Sequence, residues 1–225
     1  MNVLVTARMF GQLSEEAYRV FTDAGHRVLQ NPHKGKGLDE SELIELIGDA
    51  DALLTGVDKV TAKVIENAPR LRVISKFGTG VDKIDIDAAT RHGVVVARAP
   101  GANAEAVADM AFALLLALAR QLPRAWESVR QEEWPLIVST EVYNKRLGHV
   151  GLGQIGSRVA KRAQGFGMEI LAYEVKPDRQ FVQEHGIRLV GLNELLETAD
   201  FVSVHVPLTG ETHGLIGAEE ISKMQ

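Results

Sequence analysis

The stretch LGHVGLGQIG, residues 147–156, decides the fold, and its surroundings decide how to read it. An apolar strand, 147–150, runs straight into the glycine-rich GLGQIG at 151–156. A helix over 155–166 opens from that loop. A second strand, 168–173, follows and ends in Glu174, 23 positions after Gly151. A lone GxGxxG is a weak signal, but strand, loop, helix, strand and acidic residue in this order make a strong one. Gly151 permits a tight turn, and Gly153 lets a pyrophosphate approach the backbone. Gly156 lets the helix pack close to the strand. The helix N-terminus offers unpaired N–H groups and a positive dipole end to phosphates. Glu174 is placed to accept both ribose hydroxyls of the adenosine. A carboxylate there repels a 2′-phosphate, which argues for NAD over NADP. Lys176, two residues on, reads either as a partial offset to that charge or as a solvated surface lysine.

Working outward, the first hundred residues alternate strand and helix. The spacing predicts strands at 2–6, 26–31, 51–56, 71–75 and 94–97, with helices at 14–24, 39–47, 61–67 and 86–92. Short apolar strands separated by helices read as a parallel sheet covered on both faces. Pro100-Gly101 breaks the pattern. A helix rich in Ala and Leu almost all round, 104–121, reads as buried on more than one side and ended by Pro123. A second amphipathic segment spans 126–134, and a loop 135–144. After the glycine loop, helices at 179–185 and 192–198 alternate with strands at 187–190 and 201–206, and a small helix comes last. The fold class is α/β, with one domain at 1–100 and a dinucleotide-binding domain at 101–225. No fixed-period repeat is visible.

Composition excludes several classes of function. The 225 residues are 45% hydrophobic and 24% charged, enough apolar material for a core. The formal net charge is -5, so no basic footprint for nucleic acid is present. Cysteine is absent, which removes disulfides, thiolate metal sites and a Cys nucleophile, and fits a reducing cytoplasm. The apolar run 110–119 spans about half of a ~30 Å hydrocarbon core, which reads as a buried helix rather than a membrane span. The first residues lack the basic and apolar regions of a signal peptide. No metal site and no nucleic-acid or membrane partner is expected.

At this point four motifs come together in order: KFGTGVDKIDIDAATRHG, APGANAEAVAD, LGHVGLGQIG and HVPLTGETHGLI. With these the chain resembles the D-isomer-specific 2-hydroxyacid dehydrogenases, and within them most nearly the D-3-phosphoglycerate dehydrogenases. The resemblance covers essentially the whole chain. It implies a flavodoxin-like substrate domain beside a Rossmann domain, with NAD as cofactor. It further implies oxidation of a D-2-hydroxy acid, 3-phosphoglycerate to 3-phosphohydroxypyruvate in serine biosynthesis, with glyoxylate, hydroxypyruvate, glycerate and lactate as other substrates of the family. By residue, it implies a substrate contact from Lys76, Gly78, Gly80 and Asn103. It places Thr79, Val206 and Pro207 against the nicotinamide, and Gln154 and Ile155 against the pyrophosphate. Helix 104–121 would join domains and build a homodimer. The family's catalytic Arg, Glu and His lie downstream of the segment matching ISKMQ, where this chain ends. The resemblance therefore implies that these 225 residues hold no catalytic residue and alone do not turn over. It also implies an exposed sheet edge beside FVSVHV. A second reading is a dinucleotide-sensing binding module, because corepressors of the C-terminal-binding-protein type share this fold and these motifs.

Some residues keep two readings. Lys76, at a strand's carboxyl end, is either a cation for a carboxylate or phosphate or a solvated lysine. Arg98 stands where Asn or Thr is common in the family, and either touches the cleft or is exposed. Asp82 and Asp85 flank a helix start, so at least one is expected to cap it. His149, in a central strand, is expected to be a core histidine bonded to backbone or water.

Overall fold

Alternating apolar side chains on short strands can be buried only if helices cover both faces of a sheet. The computed structural model, which describes residues 1–32 and 36–225, shows that arrangement twice. The chain divides into unit one, Met1–Ala102, and unit two, Asn103–Gln225.

Unit one runs β1 (Asn2–Val5), α1 (Glu16–Asp23), β2 (Arg27–Gln30), α2 (Glu40–Ile47), β3 (Ala52–Thr55), α3 (Ala62–Glu66), β4 (Val73–Lys76), α4 (Ile86–Arg91) and β5 (Val95–Ala97). All pairings are parallel, in the order β2-β1-β3-β4-β5, which is the flavodoxin-like order. Alternation sorts the side chains. Leu4, Leu53 and Ile74 join Leu43, Ile47, Val64 and Ala88 of the helices on one face. Val3, Val5, Ala52 and Leu54 meet Phe10 and Phe21 on the other. Leu43 and Ile47 are fully buried, each stabilising the fold by about 1.5–3 kcal/mol. Helix starts obey capping chemistry. Asp39 accepts from Glu42 N (2.9 Å) in a reciprocal box, Thr61 from Val64 N (3.3 Å), and Asp85 from Ala88 N (2.8 Å). Of the two aspartates at the last start, Asp85 is the cap.

Unit two continues with α5 (Ala104–Ala119), α6 (Leu122–Arg130), β6 (Arg146–Val150), α7 (Gln154–Gly165), β7 (Glu169–Tyr173), α8 (Arg179–Glu184), β8 (Arg188–Leu189), α9 (Leu192–Thr198), β9 (Phe201–Val204) and α10 (Ala218–Ser222). Its parallel sheet has the order β8-β7-β6-β9, matching strands 3-2-1-4 of a doubly wound dinucleotide fold, with β9 at one edge. Leu147, Ile170 and Ala172 pack with Phe112, Leu115, Val159 and Ala163, whereas Val150 and Leu171 face Leu195 and Leu196. Across α5 and α7, Arg158 Nε meets Glu105 Oε1 (2.7 Å), and Arg162 pairs with Glu105 and Asp109. Such exposed pairs orient more than they stabilise.

One sequence expectation needs correction. Pro123 does not end a long helix ahead of a second one at 126–134. It sits in the first turn of α6, where its missing N–H leaves no bond unmade, and Gln121 at φ 49° turns the chain. Within the single chain α5 buries one face. Ala108, Phe112, Leu115 and Ala119 are buried, but Met110, Leu114 and Leu118 are 60%, 63% and 74% exposed. Among the described residues no single helix is long and apolar enough to cross a membrane. The pair α5 and α6 passes by length and composition together, but bends by 67° at its break.

Candidate functional site

The glycine loop of unit two is held by contacts on both sides. Gly151 N donates to Tyr173 O (2.9 Å), and His205 N to Val150 O (2.8 Å). At Gly151, φ is +94° and a Cβ would lie 2.7 Å from His205 O. At Gly156 a Cβ would lie 2.2 Å from Gly151 O, so helix and loop touch as only glycine allows. Gly153 differs, because a Cβ there meets nothing within 4 Å. Gly153 is the N-cap of α7 and supplies no side chain to cap it. The first-turn N–H groups, including those of Gln154 and Ile155, therefore remain available to an anion.

Glu174 closes the loop from the other side. Its Oε2 accepts from Leu152 N (2.8 Å) and its Oε1 from Lys176 N (2.9 Å). Each carboxylate oxygen has a second lone-pair site, so hydroxyl donors can still be accepted. The open side at Gly153, the free first turn and this carboxylate match the pyrophosphate and ribose of a dinucleotide. The side chain of Lys176 is exposed. Val206 borders the turn, with its Cγ1 2.8 Å from a Cβ placed on Gly151.

Beneath the loop His149 is fully buried, and among the described residues neither ring nitrogen has a hydrogen-bond partner. The expected bond to backbone is not made. Strand alternation turns the ring towards Gly156, whose Cβ would stand 3.9 Å from Nδ1. Burial, with a smaller contribution from His205, pushes the imidazole down to about 3. The His205 ring lies 6.0 Å away, centroid to centroid, and its Nε2 pairs with Ser203 Oγ (2.7 Å). Burial lowers His205 too.

Unit one places a second glycine segment at the carboxyl end of β4. Lys76 Nζ donates to Gly56 O. An ammonium has three donors, so two remain for a ligand. Gly78 is at φ +146°, and Ala99 N donates to its carbonyl (3.0 Å). Arg98 is exposed, and its Nη1 donates to Thr79 O (3.1 Å). Gly80 lies beside Asp82, whose Oδ1 would be 2.8 Å from a Cβ there. Lys76, Gly78, Thr79 and Gly80 are thus brought together in unit one. Asn103 begins unit two as the N-cap of α5, without a side-chain capping bond, and Pro207 follows β9 in the same unit. Two features escaped the sequence reading. One is the Leu152 N–H as the partner of Glu174. The other is the segment after β1, where the only signal was a glycine, Gly11, close to a strand's carboxyl end.

The sheet order, the loop and its acidic partner are those of a dinucleotide-binding fold. The sequence profile of the D-isomer specific 2-hydroxyacid dehydrogenase NAD binding domain matches residues 112–225. D-3-phosphoglycerate dehydrogenase of Methanocaldococcus jannaschii is 41% identical over 229 residues, covering 100% of this chain and 42% of that protein. Glyoxylate reductase of Korarchaeum cryptofilum is 43% identical over 190 residues, covering 81% and 57%. Among solved structures, D-lactate dehydrogenase from Aquifex aeolicus, complexed with NAD and lactic acid, superposes with a TM-score of 0.87 at 29% identity. That match covers 100% of this chain and 66% of that one. The chain belongs to the D-isomer-specific 2-hydroxyacid dehydrogenase family, and its second unit carries the family's NAD-binding domain. It spans between 42% and 57% of the length of those two sequence relatives.

Proposed function

We propose that the chain belongs to an NAD-dependent dehydrogenase that oxidises D-3-phosphoglycerate, and that it supplies the substrate-binding unit and the glycine loop that holds the cofactor. The observation that carries this reading is the Glu174 carboxylate docked on the glycine loop at Leu152 N. Bound NAD would accept the hydride from C2 of the hydroxy acid. The chain's own residues bind and orient. The N–H groups of Gln154 and Ile155 hold the pyrophosphate over Gly153, with Gly151 and Gly156 fixing the loop. Glu174 takes the ribose hydroxyls and repels a 2′-phosphate. In unit two Val206 and Pro207 border the nicotinamide. In unit one Lys76 anchors a substrate anion, beside the backbone of Gly78 and Gly80. The 41% identity to a phosphoglycerate dehydrogenase supports the substrate. The 43% identity to a glyoxylate reductase supports glyoxylate as a second reading.

Calorimetric titration of the chain tests the cofactor, with NAD expected to bind at least tenfold more tightly than NADP. Equal affinities would remove the role given to Glu174. Comparing kcat/KM for D-3-phosphoglycerate oxidation and glyoxylate reduction in the whole protein decides between the two substrates.

The same reading includes a homodimer. Met110, Leu114 and Leu118 recur every four residues along α5, and Leu122, Trp126 and Val129 of α6 extend the exposed apolar surface. A two-fold partner presenting the same patch would bury both copies. Sedimentation should give a dimer, and Leu114→Glu with Leu118→Glu a monomer. A stable wild-type monomer at high concentration would overturn it.

A further inference from the structure

Open parallel sheets bind ligands at the carboxyl ends of their strands, above all where neighbouring strands are reached by crossovers in opposite directions. In unit one that strand is β1, flanked by β2 on one side and β3 on the other. A cavity of about 370 Å3 opens at its end. Thr6, Arg8, Gln12, Tyr18, Gln30 and Asn31 supply its polar lining. That is one guanidinium, three side-chain amides and two hydroxyls, with no carboxylate among the described residues lining it. The buried Asp58 carboxylate nearby is already engaged by Thr6 Oγ1 (2.6 Å), Thr55 Oγ1 (3.1 Å) and Leu38 N (2.8 Å).

The wall is built rather than incidental. Gly11 is at φ +74°, and a Cβ there would lie 1.9 Å from Tyr18 Cε2. Only glycine lets the segment press so closely on α1. Tyr18 Oη donates to Phe10 O (3.2 Å), and Gln12 Nε2 to Arg8 O (2.6 Å). The Phe10 ring stands edge-on to Tyr18 at 5.2 Å and tilted against Phe21 at 5.8 Å. These contacts hold the segment that presents Arg8 to the cavity.

We propose that this cavity binds a small organic anion, a carboxylate or phosphate monoester, with Arg8 as its cationic contact. A guanidinium matches the planar oxygens of either group, the amides add neutral donors, and Val5 and Phe10 give the carbon frame an apolar wall. The site is distinct from the segment at Lys76–Gly80, because β3 lies between β1 and β4. Among the described residues the two touch through the Phe10 ring edge on Phe77, 6.0 Å between centroids, and through Gly56, whose carbonyl accepts from Lys76 and whose Cα side packs on Ala7. The assignment stands whether or not the second segment holds a hydroxy acid. The anion has two possible sources, a separate effector or the far end of a substrate held at Lys76–Gly80.

The test is an amide chemical-shift titration of the 225-residue chain with inorganic phosphate, D-glycerate and D-3-phosphoglycerate. Phosphate should move the amides of Thr6 to Gln12 and of Asn31. Arg8→Gln should weaken that binding tenfold or more while leaving the remaining spectrum and NAD affinity unchanged, and Arg8→Lys should restore part of it. Phosphate and D-3-phosphoglycerate competing at these amides, with Gly78–Gly80 silent, identifies a separate anion. Shifts of both segments by D-3-phosphoglycerate, with one affinity that Arg8→Gln lowers, identify the far end of a substrate. Phosphate shifts confined to other parts of the chain, or equal phosphate affinity in wild type and Arg8→Gln, overturn the proposal.

Discussion

The two glycine segments, 76–80 in unit one and 151–156 in unit two, stand at the carboxyl ends of parallel strands but are held in different ways. At Gly151 and Gly156 the backbone is so close to its neighbours that an added Cβ would strike carbonyl oxygens at 2.7 Å and 2.2 Å. A twelve-residue helix follows at once. At Gly78 a Cβ would meet only the end of the flexible Lys76 side chain, at 3.6 Å. There the positive φ makes glycine the favoured residue, and cross-strand bonds from Ala99 N and Arg98 keep the segment in place. The 151–156 loop is specified by close packing, against its own helix and against His205, and the 76–80 loop by backbone conformation and hydrogen bonds from residues 98 and 99. A motif search detects the first kind far more readily than the second.

The sharpest break of this comparison separates Gly156 from Gly153 within one loop. Gly153→Val adds atoms only to open space, so the fold should survive. Dinucleotide affinity should fall roughly 100-fold or more, the equivalent of two charge-assisted hydrogen bonds of about 1.5 kcal/mol each. Calorimetry with NAD, alongside a melting curve, reads both effects. Gly156→Ala should instead lower stability itself, by about 1–3 kcal/mol through overpacking against Gly151 O. An unchanged melting temperature for Gly156→Ala would mean that the loop is not packed as described.

Gly78→Ala should cost about 1–3 kcal/mol of backbone strain in unit one, with NAD affinity unaltered. Denaturant unfolding with NAD titration checks this. A change in NAD binding as large as that of Gly153→Val would erase the distinction between the loops.

His149 gives a pH test of unit two. Its folded value, about 3, lies below the ordinary 6.5, so the unfolded chain binds more protons between those two pH values. The stability contributed by keeping it neutral is complete above pH 6.5 and is lost progressively as pH falls towards 3. His149→Leu removes two unpaired buried nitrogens. It should stabilise the protein by about 1–3 kcal/mol near neutral pH and flatten this acid limb. Urea titrations at pH 5 and pH 8 decide it, and equal pH slopes for wild type and variant would show that His149 finds a proton partner.

Smallest is the cap of α4. Asp85→Ala removes the acceptor of Ala88 N and should cost about 1 kcal/mol, read as a lowered denaturation midpoint without loss of ligand binding.

Much of this architecture follows from short-range chemistry. Short apolar runs placed the strands, and Asp82 with Asp85 marked a helix start because a cap acts within three residues. Glycines at fixed offsets between β6 and α7, with Glu174 after β7, made the dinucleotide loop legible because each part serves its neighbour. What depends on distant surfaces did not show. Pro123 suits either the end of one helix or the first turn of another, and only the turn at Gln121 decided between them. The apolar residues of α5 all look alike in sequence, yet packing against α7 buries Phe112 and Leu115 and leaves Leu114 and Leu118 in solvent. His149 looks like any strand histidine until the sheet and α7 close over it without a donor or acceptor. The cavity beside Arg8 exists because Gly11, Phe10 and Tyr18 meet across a turn. The sequence alone determined the elements, the glycine loop and its acidic partner, since each is signalled by residue types at fixed spacings in one strand–loop–helix–strand stretch. The tertiary structure decided which apolar and polar atoms lose water, since that depends on surfaces brought together from far along the chain.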